Sequence, residues 1–306
     1  MAELRFDGRV AVITGAARGL GRAYARDLAS RGAKVIVNDT GGALNGEGID
    51  TAPAAEVVRE IESFGGVAVA CTESVATPQG GRAIIQSALE HYGRLDVLIH
   101  NAGIIRRAAL EEMDYADFEA VLDVHLRGAF HVVRPAFPVM CNAGYGRVVL
   151  TSSINGLYGS NTKMANYCVA KAGVIALSHV VALEGAGRGV KSNVILPGAV
   201  TRMADGTDTS AFPPMDPDVV APVITWLAHE ACSISGEMLA AMAGRVARAF
   251  VAETPGVYRR MWSAEQVALD IDRIRKAERM VVFDVLPSGQ RDHMLYSFEA
   301  ARNGVS

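Results

Sequence analysis

The chain has 306 residues, 50% of them apolar and 21% charged, with a formal net charge of -3. That balance belongs to a globular protein with a substantial buried core and excludes disordered tails and membrane bundles. Without a basic excess there is no field to recruit nucleic acid or an anionic membrane surface, so neither is expected as a partner.

The N-terminal segment Met1-Ala-Glu-Leu-Arg-Phe-Asp7 lacks the basic and apolar runs of a secretory signal, and a cytoplasmic location is expected by default. A first strand is expected from Arg9 to Thr14, followed at once by Thr14-Gly15-Ala-Ala-Arg18-Gly19-Leu20-Gly21, which opens a helix near 19 to 31. A glycine-rich turn between strand and helix lets the backbone approach a pyrophosphate closely. The helix N-terminus adds free N–H groups and the positive end of its dipole. Taken alone, such a glycine triplet is only a tight turn. The second strand, Lys34 to Asn38, strengthens the signal by ending on Asp39, eighteen residues after Gly21. A carboxylate there accepts from the adenosine ribose hydroxyls and repels the 2′-phosphate of NADP, so NAD is the expected cofactor. Arg18 works in the opposite sense, because a guanidinium in the turn can pair with that phosphate.

Further along, a helix near 53 to 64 leads to a third strand, Val67 to Cys71, and a helix near 78 to 92 leads to a fourth, Leu95 to His100. Asn101-Ala102-Gly103 follows that strand, where small residues leave space for a cofactor. A long helix is expected from 115 to 141, carrying His125, before a fifth strand from Arg147 to Thr151 that runs into Ser152-Ser153. A helix near 165 to 187 carries Tyr167 and Lys171 and precedes a sixth strand, Lys191 to Leu196. Residues 199 to 216, with Gly206 and Ala211-Phe-Pro-Pro, read as a mobile loop where a substrate lid sits. A helix near 217 to 229 and a strand from Glu237 to Met242 complete the pattern.

The alternation implies an α/β, Rossmann-type doubly wound parallel sheet of seven strands with helices on both faces. Ligands are expected at the carboxyl ends of the strands. Residues 1 to 245 would form this dinucleotide-binding catalytic domain. Residues 246 to 306, with helical stretches at Ser263 to Glu278 and Ser288 to Arg302, would form a helical C-terminal extension packed on it or on a partner subunit. Gly or charged residues interrupt every apolar stretch, so no spanning helix is expected. Cys71, Cys141, Cys168 and Cys232 show no CxxC spacing and read as reduced small hydrophobes, with no metal site.

Tyr167-Cys-Val-Ala-Lys171 places a phenol and an ammonium four residues apart on one helical face, downstream of the Ser-tipped fifth strand. Alcohol oxidation needs a base for the hydroxyl proton while hydride leaves, and reduction needs the same group as an acid. Lowering a phenol from a pKa near 10 by about three units takes roughly 4 kcal/mol. An ammonium about 4 Å away supplies roughly that much at an effective dielectric of about 20. Ser153 is placed to hold the substrate oxygen, and Lys171 also to reach the nicotinamide ribose. An isolated YxxxK is an ordinary surface pair; here the strand and the nucleotide-binding turn give it meaning.

On Thr14-Gly-x-x-x-Gly-x-Gly21, Asn101-Ala-Gly103, Ser153, Tyr167-x-x-x-Lys171 and Pro197-Gly198, in this order over roughly residues 6 to 245, the sequence resembles the short-chain dehydrogenase/reductase family. The resemblance implies that Ser153 positions the substrate oxygen, Tyr167 is the acid/base and Lys171 lowers its pKa. It also implies that Pro197, Gly198, Val200 and Thr201 embrace the nicotinamide, that Ser74 and Val75 stand at the adenine contact in place of the acidic residue often found there, and that the chain forms homodimers or homotetramers. Val37-Asn-Asp-Thr-Gly-Gly42 and Val124-His-Leu-Arg-Gly128 look like the (3R)-hydroxyacyl-CoA dehydrogenase unit of peroxisomal multifunctional β-oxidation enzymes, with hydroxysteroid-active relatives sharing much of the pattern. Three further departures stand out. His125 occupies the place of the family's catalytic Asn, where it either relays a proton through water or only packs. Ser153 lies fourteen residues before Tyr167 instead of thirteen, which puts an insertion around Ser160-Asn-Thr-Lys163 beside the substrate pocket. His100 replaces the first Asn of a common Asn-Asn-Ala-Gly run and reads as structural.

The expected activity is hydride transfer between NAD and a secondary alcohol, foremost a 3-hydroxyacyl-CoA whose phosphates meet Arg106, Arg107 and Lys163. A hydroxysteroid or other bulky alcohol is the alternative if Met203, Phe212 and Met215 line an apolar cavity. A non-catalytic dinucleotide-binding regulator is the third reading.

Overall fold

The computed structural model describes residues 3–159, 162–204, 208 and 210–303; Gly206 of the expected lid and Ser160 and Asn161 of the expected insertion lie outside the described residues. Two compact units are present, Met1–Arg248 and Ala249–Ser306.

The first unit is built on β1 (Val10–Thr14), β2 (Lys34–Asn38), β3 (Val67–Cys71), β4 (Val97–His100), β5 (Gly146–Thr151), β6 (Val190–Gly198), β7 (Met238–Met242) and β8 (Arg245–Ala249), in the order β3-β2-β1-β4-β5-β6-β7-β8. The pairings from β3 through β7 are parallel. The order reverses direction between β1 and β4, which creates the crevice where a doubly wound sheet binds its ligand.

The helices are α1 (Gly19–Ser30), α2 (Ala52–Ser63), α3 (Pro78–Tyr92), α4 (Tyr115–Leu122), α5 (Gly128–Asn142), α6 (Ile154–Tyr158), α7 (Ala165–Gly185) and α8 (Ala221–Ala228). Successive strand residues feed opposite cores. Ala11, Ile13, Val35 and Val37 pack with α1, α2 and α8, whereas Val10, Val12 and Ile36 pack with α3, α5 and α7. Both faces are therefore dry, and the strands read as unbroken apolar runs with no polar alternation. Each fully buried Ile or Leu in these layers contributes roughly 1.5–3 kcal/mol of transfer free energy. By length and hydropathy α7 would pass for a membrane-crossing helix, yet it packs on β5 and β6 and carries the buried Lys171.

Two expectations need correction. The sheet has eight strands, not seven, because the chain turns back after β7 through Ala243 and Gly244, both at positive φ (48° and 78°), the backbone of a two-residue hairpin. The helix expected over 115 to 141 is interrupted between α4 and α5 by a π-helical turn, Asp123–Arg127, centred on His125. Its cause is tertiary. The His125 carbonyl accepts a hydrogen bond from His100 Nε2 at 3.1 Å, so it is engaged outside the helix.

The second unit holds a short two-stranded ribbon of β9 (Ala252–Glu253) and β10 (Val281–Val282), with α9 (Ala264–Ile274) and α10 (Gln290–Asn303). A capping box between Ser263 and Gln266 starts α9, and Asp270 accepts from Arg259 and Arg273.

Candidate active site

A cleft of about 1080 Å³ opens at the carboxyl ends of the strands. Gly15, Arg18, Gly19, Leu20, Asp39, Ser74, Val75, Asn101, Ala102, Gly103, His125, Ser153, Tyr167, Lys171, Pro197, Gly198 and Thr201 all line it. Gly21 and Val200 do not. Gly21 is buried in the first turn of α1, where a β-carbon would lie 2.1 Å from Gly15 O, so its role is close packing. Val200 is 38% exposed and its N–H donates to Met215 O.

The residues at the glycine-rich end fit a dinucleotide. Gly15 has φ +65° and a β-carbon on it would lie 2.7 Å from Ala102 Cα, so the turn lies against the Asn101-Ala102 segment by backbone alone. Neither a capping side chain nor an acidic residue occupies the first turn of α1, which leaves its N-terminus suited to a phosphate. Asp39 stands at the end of β2, with Oδ2 accepting from Ala17 N at 3.0 Å and Oδ1 from Gly41 N at 2.7 Å. The same carboxylate thus folds the loop around it. Arg18 donates to Gly41 O, and Arg202, which sequence reasoning passed over, also lines the cleft. Burial and the neighbouring Arg18 draw the Arg202 guanidinium down, while Asp39 supports its charge.

Thr14 anchors the crevice. Its Oγ1 accepts from Asn101 N and Ala102 N, both at 3.1 Å, so its own proton goes to His100 Nδ1 at 3.0 Å. His100 Nε2 then carries the ring proton and donates it to the His125 carbonyl. Burial, reinforced by Lys171, pushes His100 down to about 3, so the ring stays neutral. This is the structural histidine expected from sequence.

At the reacting centre α6 starts directly after β5. Ser153 is its N-cap, accepting from Asn155 N at 3.2 Å, whereas Ser152 Oγ is used up on Lys171 O at 2.7 Å. Both serines line the cleft, but Ser153 is the one that shares a hydrogen bond with Tyr167. Gly156 lets α6 press onto α7, since a β-carbon there would lie 2.8 Å from the Lys171 backbone. Tyr167 shares a hydrogen bond with Ser153, which pulls its phenol down, but burial is the larger effect and holds the pKa above its ordinary value. His125 packs edge-on against the Tyr167 ring, with centroids 5.2 Å apart. Its Nε2 lies 2.8 Å from Ile104 O and 3.0 Å from Ile104 N, while Nδ1 is buried without a hydrogen-bond partner. Burial and then Lys171 hold His125 well below its usual pKa, and it too is neutral.

Lys171 stands beside Tyr167 on α7. It is 3% exposed, Nζ donates to Thr151 O at 2.6 Å and lies 5.7 Å from the Tyr167 ring centroid, and burial draws it down to about 7. Burial thus lowers the charged share of the lysine near neutral pH, and among the described residues no carboxylate offsets its desolvation. Thr151 Oγ1, beside it, is another buried polar atom without a partner. With His125 Nδ1 it marks the polar floor of the cleft.

Arg106 lines the cleft, and its guanidinium pairs with Asp117 at 2.8 Å and donates to Asn45 O at 2.9 Å. Met203 and Met215 line the cleft together with Met242, whereas Phe212 does not and is 46% exposed. The segment from Thr40 to Ile49 forms another wall, with Thr40, Gly42, Ala43, Leu44, Gly46, Gly48 and Ile49 lining the cleft.

Comparisons with known proteins agree with this geometry. The family profile described as short chain dehydrogenase matches residues 9–210. A peroxisomal multifunctional enzyme type 2 from Drosophila melanogaster is 45% identical over 243 residues, spanning 79% of this chain and 40% of that enzyme. The structure of the full-length Drosophila enzyme superimposes with a TM-score of 0.78 at 34% identity, covering 96% of this chain and 50% of the other. A short chain dehydrogenase from Mycobacterium avium superimposes with a TM-score of 0.77 at 37% identity, covering 88% of this chain and 94% of the other. The chain thus spans half or less of the length of the multifunctional relative, whose name is peroxisomal where sequence alone suggested the cytoplasm. The chain belongs to the short-chain dehydrogenase family, oxidoreductases that act on CH–OH groups with a nicotinamide dinucleotide.

Proposed function

We propose that the chain is an NAD-dependent 3-hydroxyacyl-CoA dehydrogenase. The observation that carries the reading is the convergence of Ser153, Tyr167 and Lys171 in one cleft with the Gly15–Gly19 turn and Asp39. When bound, the nicotinamide ring accepts the hydride in oxidation and gives it in reduction. The remaining work falls to side chains. Ser153 holds the substrate oxygen, and Tyr167 takes the hydroxyl proton or returns it. Lys171, near neutrality and anchored on Thr151 O, orients the centre and exchanges a proton with it; His125 backs the Tyr167 ring, and its buried Nδ1 suits a water in the proton path. Asp39 at the ribose end supports NAD over NADP. The multifunctional relative and the methionine-lined wall support an acyl-CoA. The same three methionines favour a hydroxysteroid as the second reading.

The test monitors NADH formation with (3R)-hydroxyacyl-CoAs and with 3- and 17-hydroxysteroids, for the chain and for Tyr167→Phe. Turnover of the acyl-CoAs that Tyr167→Phe abolishes is expected. Turnover of steroids alone moves the assignment to the second reading, and tight NADH binding with no turnover of either class moves it to a non-catalytic binding protein.

A further inference from the structure

Asn166 precedes Tyr167 and is fully buried. At the start of α7 the N-cap is Met164, whose side chain offers no acceptor to the free N–H groups of the first turn. Asn166 supplies what that cap lacks: its Oδ1 accepts from Tyr167 N at 2.7 Å. Its Nδ2 donates to Arg106 O at 3.0 Å and to Asp117 O at 3.2 Å. One side-chain amide therefore ties the residue bearing the phenol to the segment after β4 and to α4.

Arg106 extends the tie. Besides pairing with Asp117, its Nε donates to Asn45 O, and the adjacent Ile105 N donates to Leu44 O at 3.0 Å. Gly46 in the same segment approaches so closely that a β-carbon would lie 3.0 Å from Ile104 Cδ1. An unbroken series of contacts runs from the wall of the cleft beside Asp39, through Arg106 and Asn166, to the backbone of Tyr167.

We infer that Asn166 is a positioning residue for Tyr167 and that Arg106 couples the 40–51 segment to it, so that order at the cofactor wall is transmitted to the acid/base. This rests on the reading of Tyr167 as the acid/base. The direction of the phenol follows the first turn of α7, and a displacement of about 1 Å at a reacting group is enough to cost about 100-fold in rate. Simple helix capping, by contrast, predicts lost stability with the chemistry intact. Asn166→Asp separates the two. It keeps an acceptor for Tyr167 N but replaces the Nδ2 donor by an oxygen facing two carbonyl oxygens, so the cap stays while the tie to Arg106 and Asp117 is lost, and a phenol shifted from Ser153 loses the hydrogen bond that lowers its pKa.

The experiment uses the full chain, NAD and (3R)-hydroxydecanoyl-CoA, with NADH binding followed by fluorescence to confirm that each variant is folded. Asn166→Ala is expected to lower kcat about 100-fold with KM for the acyl-CoA within about threefold, and Arg106→Gln to raise KM for NAD with a smaller loss of kcat. Asn166→Asp is expected to move the ascending limb of the kcat–pH profile to higher pH. The ionisation of Tyr167, read as ultraviolet difference absorbance against each variant's Tyr167→Phe counterpart, gives the same comparison without substrate. An Asn166→Ala protein that binds NADH normally and keeps its kcat overturns the inference, as does an Asn166→Asp protein whose Tyr167 titrates like the parent. Should Asn166→Ala not fold, Asn166→Ser, which retains an acceptor and one donor, is read by the same criteria. Wild-type kcat in Tyr167→Phe removes the acid/base assignment itself; an inactive Tyr167→Phe beside an unaffected Asn166→Ala removes only the positioning role.

Discussion

Gly103 leaves the space that the His125 imidazole fills: a β-carbon on Gly103 would lie 2.4 Å from His125 Cε1. The third residue of the Asn101-Ala102-Gly103 motif is therefore required by a side chain from the π-helical turn as well as by any cofactor. Because His125 rests edge-on against Tyr167, Gly103→Ala is expected to displace both rings. The variant should lose about 10- to 100-fold in kcat and about 1–3 kcal/mol in stability from overpacking. NADH formation and thermal unfolding measure the two effects, and an unchanged kcat would break the proposed link between the motif and the acid/base.

In the proposed NAD-dependent enzyme Asp39 has two roles, the discrimination between cofactors and the fold of its loop through Ala17 N and Gly41 N. Asp39→Ala removes both, whereas Asp39→Asn removes the charge and keeps one acceptor. The ratio of kcat/KM for NAD to that for NADP is expected to fall at least about tenfold in each, equivalent to about 1.4 kcal/mol. Only Asp39→Ala should also weaken NAD itself. Retention of the parental ratio in Asp39→Asn shows that the charge does not set the preference.

Much of this was legible because it is local. The strands announce themselves as runs buried on both faces, as Val35, Ile36 and Val37 illustrate, and the glycine-rich turn, Ser153 and Tyr167 with Lys171 lie at fixed offsets along single elements. What escaped depends on partners distant in sequence. The π-helical turn at His125 follows from His100, the anchoring of Arg106 from Asp117 and Asn45, and the role of Asn166 from two carbonyls on other elements. Spacing made Lys171 a neighbour of Tyr167 but left its lowered pKa unread, because spacing says nothing of desolvation.

Asp96 provides a control at the opposite end of the sheet. Its carboxylate is 1% exposed and accepts from Val10 N at 2.9 Å, Arg9 Nη1 at 3.0 Å and Arg94 Nε and Nη2 at 2.8 and 2.7 Å. Asp96→Ala leaves the buried Val10 N without its acceptor and takes one carboxylate from Arg9, which keeps Glu230, and an unsatisfied buried donor costs about 1–3 kcal/mol. Chemical denaturation should register that loss. The kcat of the folded fraction should stay at the parental level, since the network sits at the amino ends of β1 and β4, away from Tyr167; a matching loss of kcat would mean that the two ends of the sheet are coupled.

Lys171 ties stability to pH. Its folded pKa is drawn from the ordinary 10.5 down to about 7 by burial. Below about pH 7 both folded and unfolded chains hold the proton, and the folded state bears the whole cost of a buried ammonium. Between about 7 and 10.5 the unfolded chain binds more protons, so stability rises with pH as that cost fades. Lys171→Met fills the site with an uncharged chain of similar length. It is expected to stabilise the fold by up to about 5 kcal/mol at pH 6 and by progressively less towards pH 10, while abolishing activity. Denaturant midpoints of the two proteins across that range measure the difference. A stability gap that does not shrink with rising pH would show that Lys171 is not held near neutrality by burial, and that its charge is available to Tyr167 after all.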